Sequence, residues 1–149
     1  PWSVEDIELD DPKEGEVRVK LAASGMCHSD EHLVTGDLPF ELPIIGGHEG
    51  AGVVTKVGPG VSWLEEGDHV VFGFIPSCGR CPSCLDAAPA YCYTTDQFAC
   101  TRPDGSFYLN GDNGPVHGDF FNQSSFATHA LAKRRGDQAR FADGVRRRG

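Results

Sequence analysis

The chain has 149 residues, a length that suits one domain with a buried core, and 39% of its residues are hydrophobic. Its 19 glycines and 10 prolines favour a turn-rich, mainly β fold. No apolar run approaches the roughly 20 residues needed to cross a bilayer, so we expect a soluble protein with no membrane partner. The net charge of −9 disfavours a nucleic-acid partner, because phosphate binding draws on a basic surface.

Strand patterns recur along the chain, whereas helical patterns are few. The clearest helix is short, over residues 29–34, with Ser29 or Asp30 as its N-terminal cap. Alternating or continuous apolar residues bounded by turn residues predict strands over residues 16–21, 52–57, 68–74 and 125–131.

The end of the chain differs in charge from the rest. Residues 1–132 hold 6 Lys and Arg against 20 Asp and Glu, a net charge of −14. Residues 133–149 hold 7 against 2, a net charge of +5, and show little apolar periodicity. We therefore expect 133–149 to be a solvated basic tail without a packed strand or helix.

Four cysteines lie within one 15-residue stretch, at Cys78, Cys81, Cys84 and Cys92. Cysteines separated by two residues can turn their sulfurs toward a single tetrahedral zinc ion. A disulfide framework is the alternative, and it belongs to oxidising compartments and small secreted domains. The chain opens with neither an initiator Met nor the basic and apolar regions of a signal peptide. We therefore expect a reducing, cytoplasmic location and favour zinc.

A second group of metal-binding residue types precedes these cysteines. Cys27 and His48 lie among glycines that permit close backbone approach, so they are candidate zinc ligands. Asp30 or Glu49 could then orient the imidazole. The residues alone leave the alternative open, because an isolated cysteine is usually a small buried apolar residue and an isolated histidine usually has a structural role.

The order of these motifs resembles the zinc-dependent alcohol dehydrogenases of the medium-chain dehydrogenase/reductase family. A Cys-x-Ser-Asp-x-His segment, a Gly-His-Glu segment and a four-cysteine lobe follow one another at the family's intervals. The resemblance covers residues 1 to about 132. Residues 1–6 and 24–30 are most similar to the nicotinoprotein branch, whereas 121–129 resemble the aryl-alcohol branch. The implied fold is a mainly β (α+β), GroES-like, partly open barrel with few short helices and a projecting structural zinc lobe.

The resemblance also implies two zinc ions with different roles. Cys27 and His48, with Glu49 beside them, would hold a catalytic zinc ion, and Asp30 would hydrogen-bond the His48 ring. The structural zinc ion, which takes no part in the chemistry, would be held by Cys78, Cys81, Cys84 and Cys92.

Three further residues acquire roles in proton and cofactor handling from the same resemblance. Ser29 would accept the proton of the bound alcohol, and His32 would relay it to solvent through the cofactor ribose. His28 would meet the cofactor pyrophosphate. The implied cofactor is NAD(P), the implied substrate is a small alcohol or aldehyde, and the full-length enzyme is expected to be a homo-oligomer.

Two parts of the family's pattern are missing from this sequence. The third protein ligand of the catalytic zinc, a cysteine beyond residue 132, has no counterpart, and no Gly-x-Gly-x-x-Gly follows a strand, so the Rossmann cofactor domain is absent. We therefore expect an inactive fragment, with the catalytic domain at 1–132 and a non-native or disordered tail at 133–149. A frameshift after Ala132 would explain the change in composition.

Two other functions are consistent with the zinc motifs. One is a non-catalytic, zinc-stabilised domain that acts through protein contacts, which fits the missing ligand and cofactor domain. The other is a zinc-ribbon nucleic-acid binder, which the net charge of −14 over residues 1–132 disfavours.

Overall fold

The structure is a computed structural model that describes residues 2–75, 77–94 and 99–133 and the backbone of 139–141. Its α-helices are α1 (His28–Thr35) and α2 (Pro82–Leu85), and short 3-10 turns lie at Pro89–Tyr91 and Phe120–Asn122. The strands are β1 (Glu8–Leu9), β2 (Glu16–Ser24), β3 (Gly50–Val57), β4 (His69–Phe72), β5 (Leu109–Gly111), β6 (Gly114–Val116), β7 (His129–Lys133) and β8 (Ala139–Phe141).

The larger sheet is antiparallel and has the strand order β7-β2-β3-β4-β8. Its long central strand β2 alternates as the sequence predicts, with Val17 and Val19 buried against Val54 of β3 and Val70 of β4. The pairing of β2 with β3 shifts register at Arg18/Val19 and Leu21/Ala23. Such irregularities bend a strand and increase its twist, so the sheet curves around its apolar core.

The smaller sheet is also antiparallel and has the order β1-β5-β6. It has its own core of Tyr108, Leu109 and Val116, which packs against Leu131 of β7. Leu131 therefore connects the two sheets. The prediction of a mainly β chain with few short helices is confirmed.

The predicted strands are found with shifted ends. Those over 16–21 and 52–57 lie inside β2 and β3, and the strand over 68–74 shortens to β4. The last predicted strand begins at His129 instead of residue 125, because Ser124 has a left-handed backbone (φ 55°) and Ser125 bonds to the Gly47 carbonyl outside the sheet.

Two further predictions are wrong, one about the residue that caps α1 and one about the absence of a strand from the tail. The helix α1 is capped by Cys27, which has extended backbone angles, and not by Ser29 or Asp30, which lie within the helix. The tail contains a strand, since β8 pairs with the open edge of β4, and edge pairing needs only backbone groups and no apolar periodicity. The tail residues 134–138 and 142–149 lie outside the described residues.

The helices of the described part of the chain are all too short or too polar to cross a bilayer.

Candidate metal centres

The fold brings together two groups of metal-binding side chains in the described part of the chain. One contains Cys27, His48 and Glu49, and the ligand atoms of each group lie within 4.8 Å of one another. The other contains Cys78, Cys81, Cys84 and Cys92. Both groups consist of the residues that the sequence analysis singled out as metal ligands.

The start of α1 positions the Cys27 side chain. Asp30, the third residue of the helix, accepts a hydrogen bond from the Cys27 backbone N–H at 3.0 Å through its Oδ2 atom. This bond satisfies an N–H group that has no partner inside the helix, and the negative charge is favourable at a helix N-terminus. The cysteine is thereby fixed where the chain enters the helix.

The same carboxylate also fixes the segment that carries His48. Its Oδ1 atom accepts a hydrogen bond from the Gly47 backbone N–H at 2.9 Å, and Asp30 is only 2% exposed. Oδ1 lies 3.5 Å from His48 Nδ1, which has no hydrogen-bond partner among the described residues. Asp30 therefore orients the histidine through the Gly47 backbone, and the predicted direct bond to the ring is not found.

Glu49 completes the first cluster from the solvent side. Its backbone carbonyl accepts a hydrogen bond from Gly25 N–H at 2.9 Å, and its carboxylate covers Gly25. A Cβ atom at residue 25 would collide with Glu49 Oε2, so the glycine leaves room for this side chain. One thiolate, one imidazole and one carboxylate form a ligand set that zinc accepts, with a further position left for a fourth ligand.

The three residues predicted to handle protons and cofactor lie in α1. Ser29 borders the first cluster, with its Oγ atom 3.7 Å from Cys27 Sγ. His28 and His32 lie one helical turn apart, with ring centroids separated by 4.9 Å. His32 Nδ1 is 3.1 Å from Asp37 Oδ2, and His28 Nε2 is 3.5 Å from Glu31 Oε2.

Aromatic rings that the sequence analysis did not assign to the site surround His48. The ring centroids of Phe121, Phe120 and Phe74 lie 4.9, 5.4 and 6.0 Å from that of His48. Phe120 is fully buried, whereas Phe74 is 51% exposed. In the sequence, the adjacent residues Phe120 and Phe121 are the one sign of an aromatic group at the site. Their pattern alone cannot distinguish them from ordinary core residues.

Phe120 and Phe121 belong to a loop of residues 119–126, here called the left-handed loop. Four of its non-glycine residues have positive φ angles, Asp119, Phe121, Asn122 and Ser124. Such backbone conformations cost about 1–3 kcal/mol each and persist only where the surroundings impose them.

Hydrogen bonds between the left-handed loop and the histidine segment impose this conformation. Gln123 Oε1 accepts a bond from Gly50 N–H at 2.9 Å, and the Ser125 N–H donates to the Gly47 carbonyl at 2.9 Å. Ser124 Oγ donates to the Ile45 carbonyl at 2.6 Å. These bonds bracket His48 on both sides in sequence, so the loop fixes the backbone that carries the ligand.

The four cysteines form a separate lobe around α2. The sulfur separations are 3.5 Å for Cys81–Cys84, 3.9 Å for Cys81–Cys92 and 4.0 Å for Cys78–Cys84. Four thiolates on a tetrahedral zinc ion, with bonds of about 2.3 Å, lie about 3.8 Å apart. A disulfide would bring two sulfurs to about 2.05 Å, so these separations fit a metal site and not the alternative disulfide framework.

Hydrogen bonds at the lobe favour the thiolate form of Cys78. A bond from Thr94 and bonds from the backbone N–H groups of Arg80 and Cys81 lower the pKa of Cys78 to about 7. The Cys81 N–H lies 3.2 Å from Cys78 Sγ. Thiolates are the form in which cysteines bind metals, so this side chain is prepared for a cation.

The chain matches the alcohol dehydrogenase GroES-like domain over residues 13–133. It is 64% identical over 85 residues to alcohol dehydrogenase B of Mycobacterium tuberculosis, covering 56% of this chain and 23% of that protein. It is 44% identical over 142 residues to the NDMA-dependent alcohol dehydrogenase of Amycolatopsis methanolica, covering 89% of this chain and 38% of that protein. The chain thus spans about a quarter to two fifths of the length of these relatives.

Two solved structures are similar to this one over most of its length. The alcohol dehydrogenase zinc-binding domain protein from Burkholderia ambifaria has a TM-score of 0.86 and 42% identity, covering 93% of this chain and 38% of that chain. The benzyl alcohol dehydrogenase from Acinetobacter calcoaceticus has a TM-score of 0.81 and 36% identity, covering 94% of this chain and 37% of that chain.

Proposed function

Because the chain belongs to the alcohol dehydrogenase GroES-like domain family, we propose that it is the catalytic domain of a zinc-dependent alcohol dehydrogenase. The GroES-like fold expected from the sequence is confirmed by its similarity to the two solved structures. The complete enzyme would oxidise an alcohol to an aldehyde or ketone by hydride transfer to NAD(P). The longer relatives have room for a further domain that would hold this cofactor.

The grouping of Cys27, His48 and Glu49 is the observation that carries the proposal. These residues come from two separate segments, yet their ligand atoms lie within 4.8 Å of one another. They would hold a zinc ion, which lowers the pKa of a bound hydroxyl, to about 7 in the case of water. The chain's own residues would then orient the alcohol and carry its proton away.

Ser29 and His32 are the proposed path for that proton. Ser29 Oγ is next to the Cys27 thiol, which puts it within reach of a hydroxyl bound at the cluster. His32 is half-buried, and Asp37 at its Nδ1 atom fixes the ring. An imidazole can accept a proton at one ring nitrogen and release one from the other, so His32 is suited to pass the proton to solvent through the cofactor ribose. His28, exposed on the same helix, would meet the cofactor pyrophosphate.

The phenylalanines around His48 support an apolar alcohol as the substrate. Three rings face the candidate ligand, and Phe74 is exposed enough to meet a bound molecule. Aromatic rings pack favourably against one another in edge-to-face geometry. The similarity to a benzyl alcohol dehydrogenase agrees with an aromatic substrate.

The four-cysteine lobe would hold a structural zinc ion that contributes to folding. Within the described residues it is the cluster with four protein ligands, whereas the first cluster has three. This difference favours one alternative function, a non-catalytic domain stabilised by the lobe alone.

Zinc counting distinguishes the two functions. We expect two zinc ions per chain in the purified protein, one in Cys27→Ser and two in the matched control Cys100→Ser, which changes a buried cysteine outside both clusters. The measurement is elemental analysis after dialysis. A single zinc ion in all three proteins, lost only on unfolding, would support the non-catalytic domain.

Turnover tests whether this chain alone is a complete enzyme. We expect little or no alcohol-dependent NAD reduction, since no dinucleotide-binding motif is present in the sequence. Robust NAD reduction with benzyl alcohol by this chain would contradict the proposal that it is an inactive fragment.

A further inference from the structure

The surface of α1 carries two histidines in the spacing of a helical metal chelate. His28 and His32 are four residues apart, and residues at this spacing are neighbours on one helix face. Their ring centroids are 4.9 Å apart, and their side chains are 77% and 34% exposed. Two imidazoles at this spacing can bind one metal ion, as the His-x-x-x-His pair of zinc enzymes does.

Asp37 prepares His32 for such a role. Its Oδ2 atom lies 3.1 Å from His32 Nδ1 and 2.5 Å from Thr35 Oγ1. The hydroxyl of Thr35 and the bond to His32 lower the pKa of Asp37, so it remains a carboxylate. A carboxylate that accepts the Nδ1–H of an imidazole fixes the tautomer and leaves Nε2 as the electron-pair donor, the arrangement found at metal-bound histidines.

His28 is available to act as the second ligand. Its Nε2 atom is 3.5 Å from Glu31 Oε2, and both side chains are more than 60% exposed. An exposed contact of this length between two polar side chains contributes little energy, so a metal ion could displace it. Imidazole nitrogens favour zinc, nickel and copper over magnesium and calcium.

We propose that His28 and His32 form a third divalent-metal site, distinct from the two clusters, that takes a transition-metal ion from solution with Asp37 as the carboxylate behind His32. The site goes beyond the proposed alcohol oxidation. Because the same histidines would serve the cofactor and the proton path, an ion bound here competes with both roles.

Nickel titration of the zinc-replete, dialysed chain tests the site, with NiCl2 as the probe and calorimetry as the readout. We expect one Ni²⁺ per chain, lost in His28→Ala and in His32→Ala and retained in the control His69→Ala, which changes an exposed histidine of β4. Asp37→Asn should weaken binding about tenfold while retaining the stoichiometry. No nickel binding by the wild-type chain, or unchanged binding in both alanine variants of α1, would overturn the site.

Proton NMR of the wild-type chain gives a second readout that needs no variant to fold. Substoichiometric Ni²⁺ should broaden the ring signals of His28 and His32 and leave those of His69 and His129 sharp. Equal broadening of all four would contradict a specific site. Neither measurement depends on turnover. Both are repeated in Cys27→Ser, which removes a ligand of the first cluster, so nickel that still binds and still broadens His28 and His32 is not bound at that cluster.

Discussion

At the residue scale, Asp30 has both carboxylate oxygens committed to the backbone of the first cluster. One accepts the N–H of Cys27, a candidate ligand, and the other accepts the N–H of Gly47, which precedes the second ligand. A carboxylate that is 2% exposed is costly to bury unless it is hydrogen-bonded, and these two bonds supply that compensation. One side chain therefore fixes the separation of two ligands that are distant in sequence.

Asp30→Asn tests this role. An asparagine offers one acceptor oxygen, so either Cys27 N–H or Gly47 N–H would face an NH2 group, and both ligands would lose their fixed positions. We expect zinc affinity at the Cys27 cluster to fall about 10–100-fold while the four-cysteine lobe keeps its ion. Competition with a chromogenic chelator measures both. The control is Asp104→Asn, an exposed carboxylate bonded to Ser106, and equal affinities in the two variants would contradict the role.

At the element scale, two segments without regular structure support each other around His48. The left-handed loop gains bonds to Ile45, Gly47 and Gly50, and these bonds offset the cost of its positive φ angles. In return, the loop holds the segment before β3 through backbone groups other than the Gly47 N–H that Asp30 binds. The candidate site therefore depends on the contact between these two loops as much as on α1.

Gly47→Ala should disturb this contact. Gly47 has a φ of +87°, and a Cβ atom there would lie 2.6 Å from the Phe126 ring and 2.8 Å from Ser125 Oγ. Gly105 is a matched control, with a φ of +77° and nothing within 4 Å of its Cβ position. We expect Gly105→Ala to lower the free energy of unfolding by about 1–2 kcal/mol. Gly47→Ala should lower it by about 1–3 kcal/mol more, because of the overlap.

Urea unfolding of the two alanine variants measures the difference. Because the overlap lies beside His48, Gly47→Ala should also lose zinc from the Cys27 cluster, whereas Gly105→Ala should retain it. Equal losses of stability in the two variants would show that backbone conformation alone, and not contact with the left-handed loop, constrains residue 47.

At the scale of the whole molecule, a buried network of charges joins segments that are far apart in sequence. Arg102 is 3% exposed and donates two hydrogen bonds to the carboxylate of Glu16, at 3.0 and 3.1 Å, and one to Asp10 at 2.9 Å. Lys133 donates to Asp119 at 2.7 Å and lies 3.8 Å from Glu16. The network thus connects the start of β2 and the end of β7 with the left-handed loop.

Glu16→Gln should lower stability in a pH-dependent way. Burial raises the pKa of Glu16, but bonds from Arg102 and from the Lys13 N–H outweigh it, so the pKa lies below its ordinary value of about 4.5. The ionised carboxylate therefore contributes stability above pH 4.5 that is lost as the pH falls through the lowered pKa. The variant should lose about 3 kcal/mol at pH 7, because a buried arginine loses its charged partner.

The pH dependence of the urea midpoint provides the check. Below pH 4.5 the wild-type chain should lose stability more steeply than Glu16→Gln, and the two curves should converge at low pH. Glu14→Gln, an exposed change two residues away, is the control and should follow the wild-type curve. Parallel curves for Glu16→Gln and wild type would contradict a charge-based role.

Much of the fold could be predicted because strand signals are local. Alternation along β2 and the apolar runs of β3 and β4 appear within a few residues, and a half-buried strand imposes that period of two. The start of β7 could not be predicted in this way, because it depends on hydrogen bonds between the left-handed loop and a segment some 75 residues earlier. The pairing of β8 depends on the edge that β4 leaves open.

The sequence by itself determined the four-cysteine lobe, because all four ligands lie in one short stretch and their spacing alone permits a tetrahedral site. The tertiary structure decided the rest of the site. It brought Cys27, His48 and Glu49 together through Asp30, and it set Phe120 and Phe121 against His48. The physical reason is that ligand spacing within a turn is fixed by covalent geometry, whereas contacts between distant segments are fixed by burial and hydrogen bonding that no local pattern records.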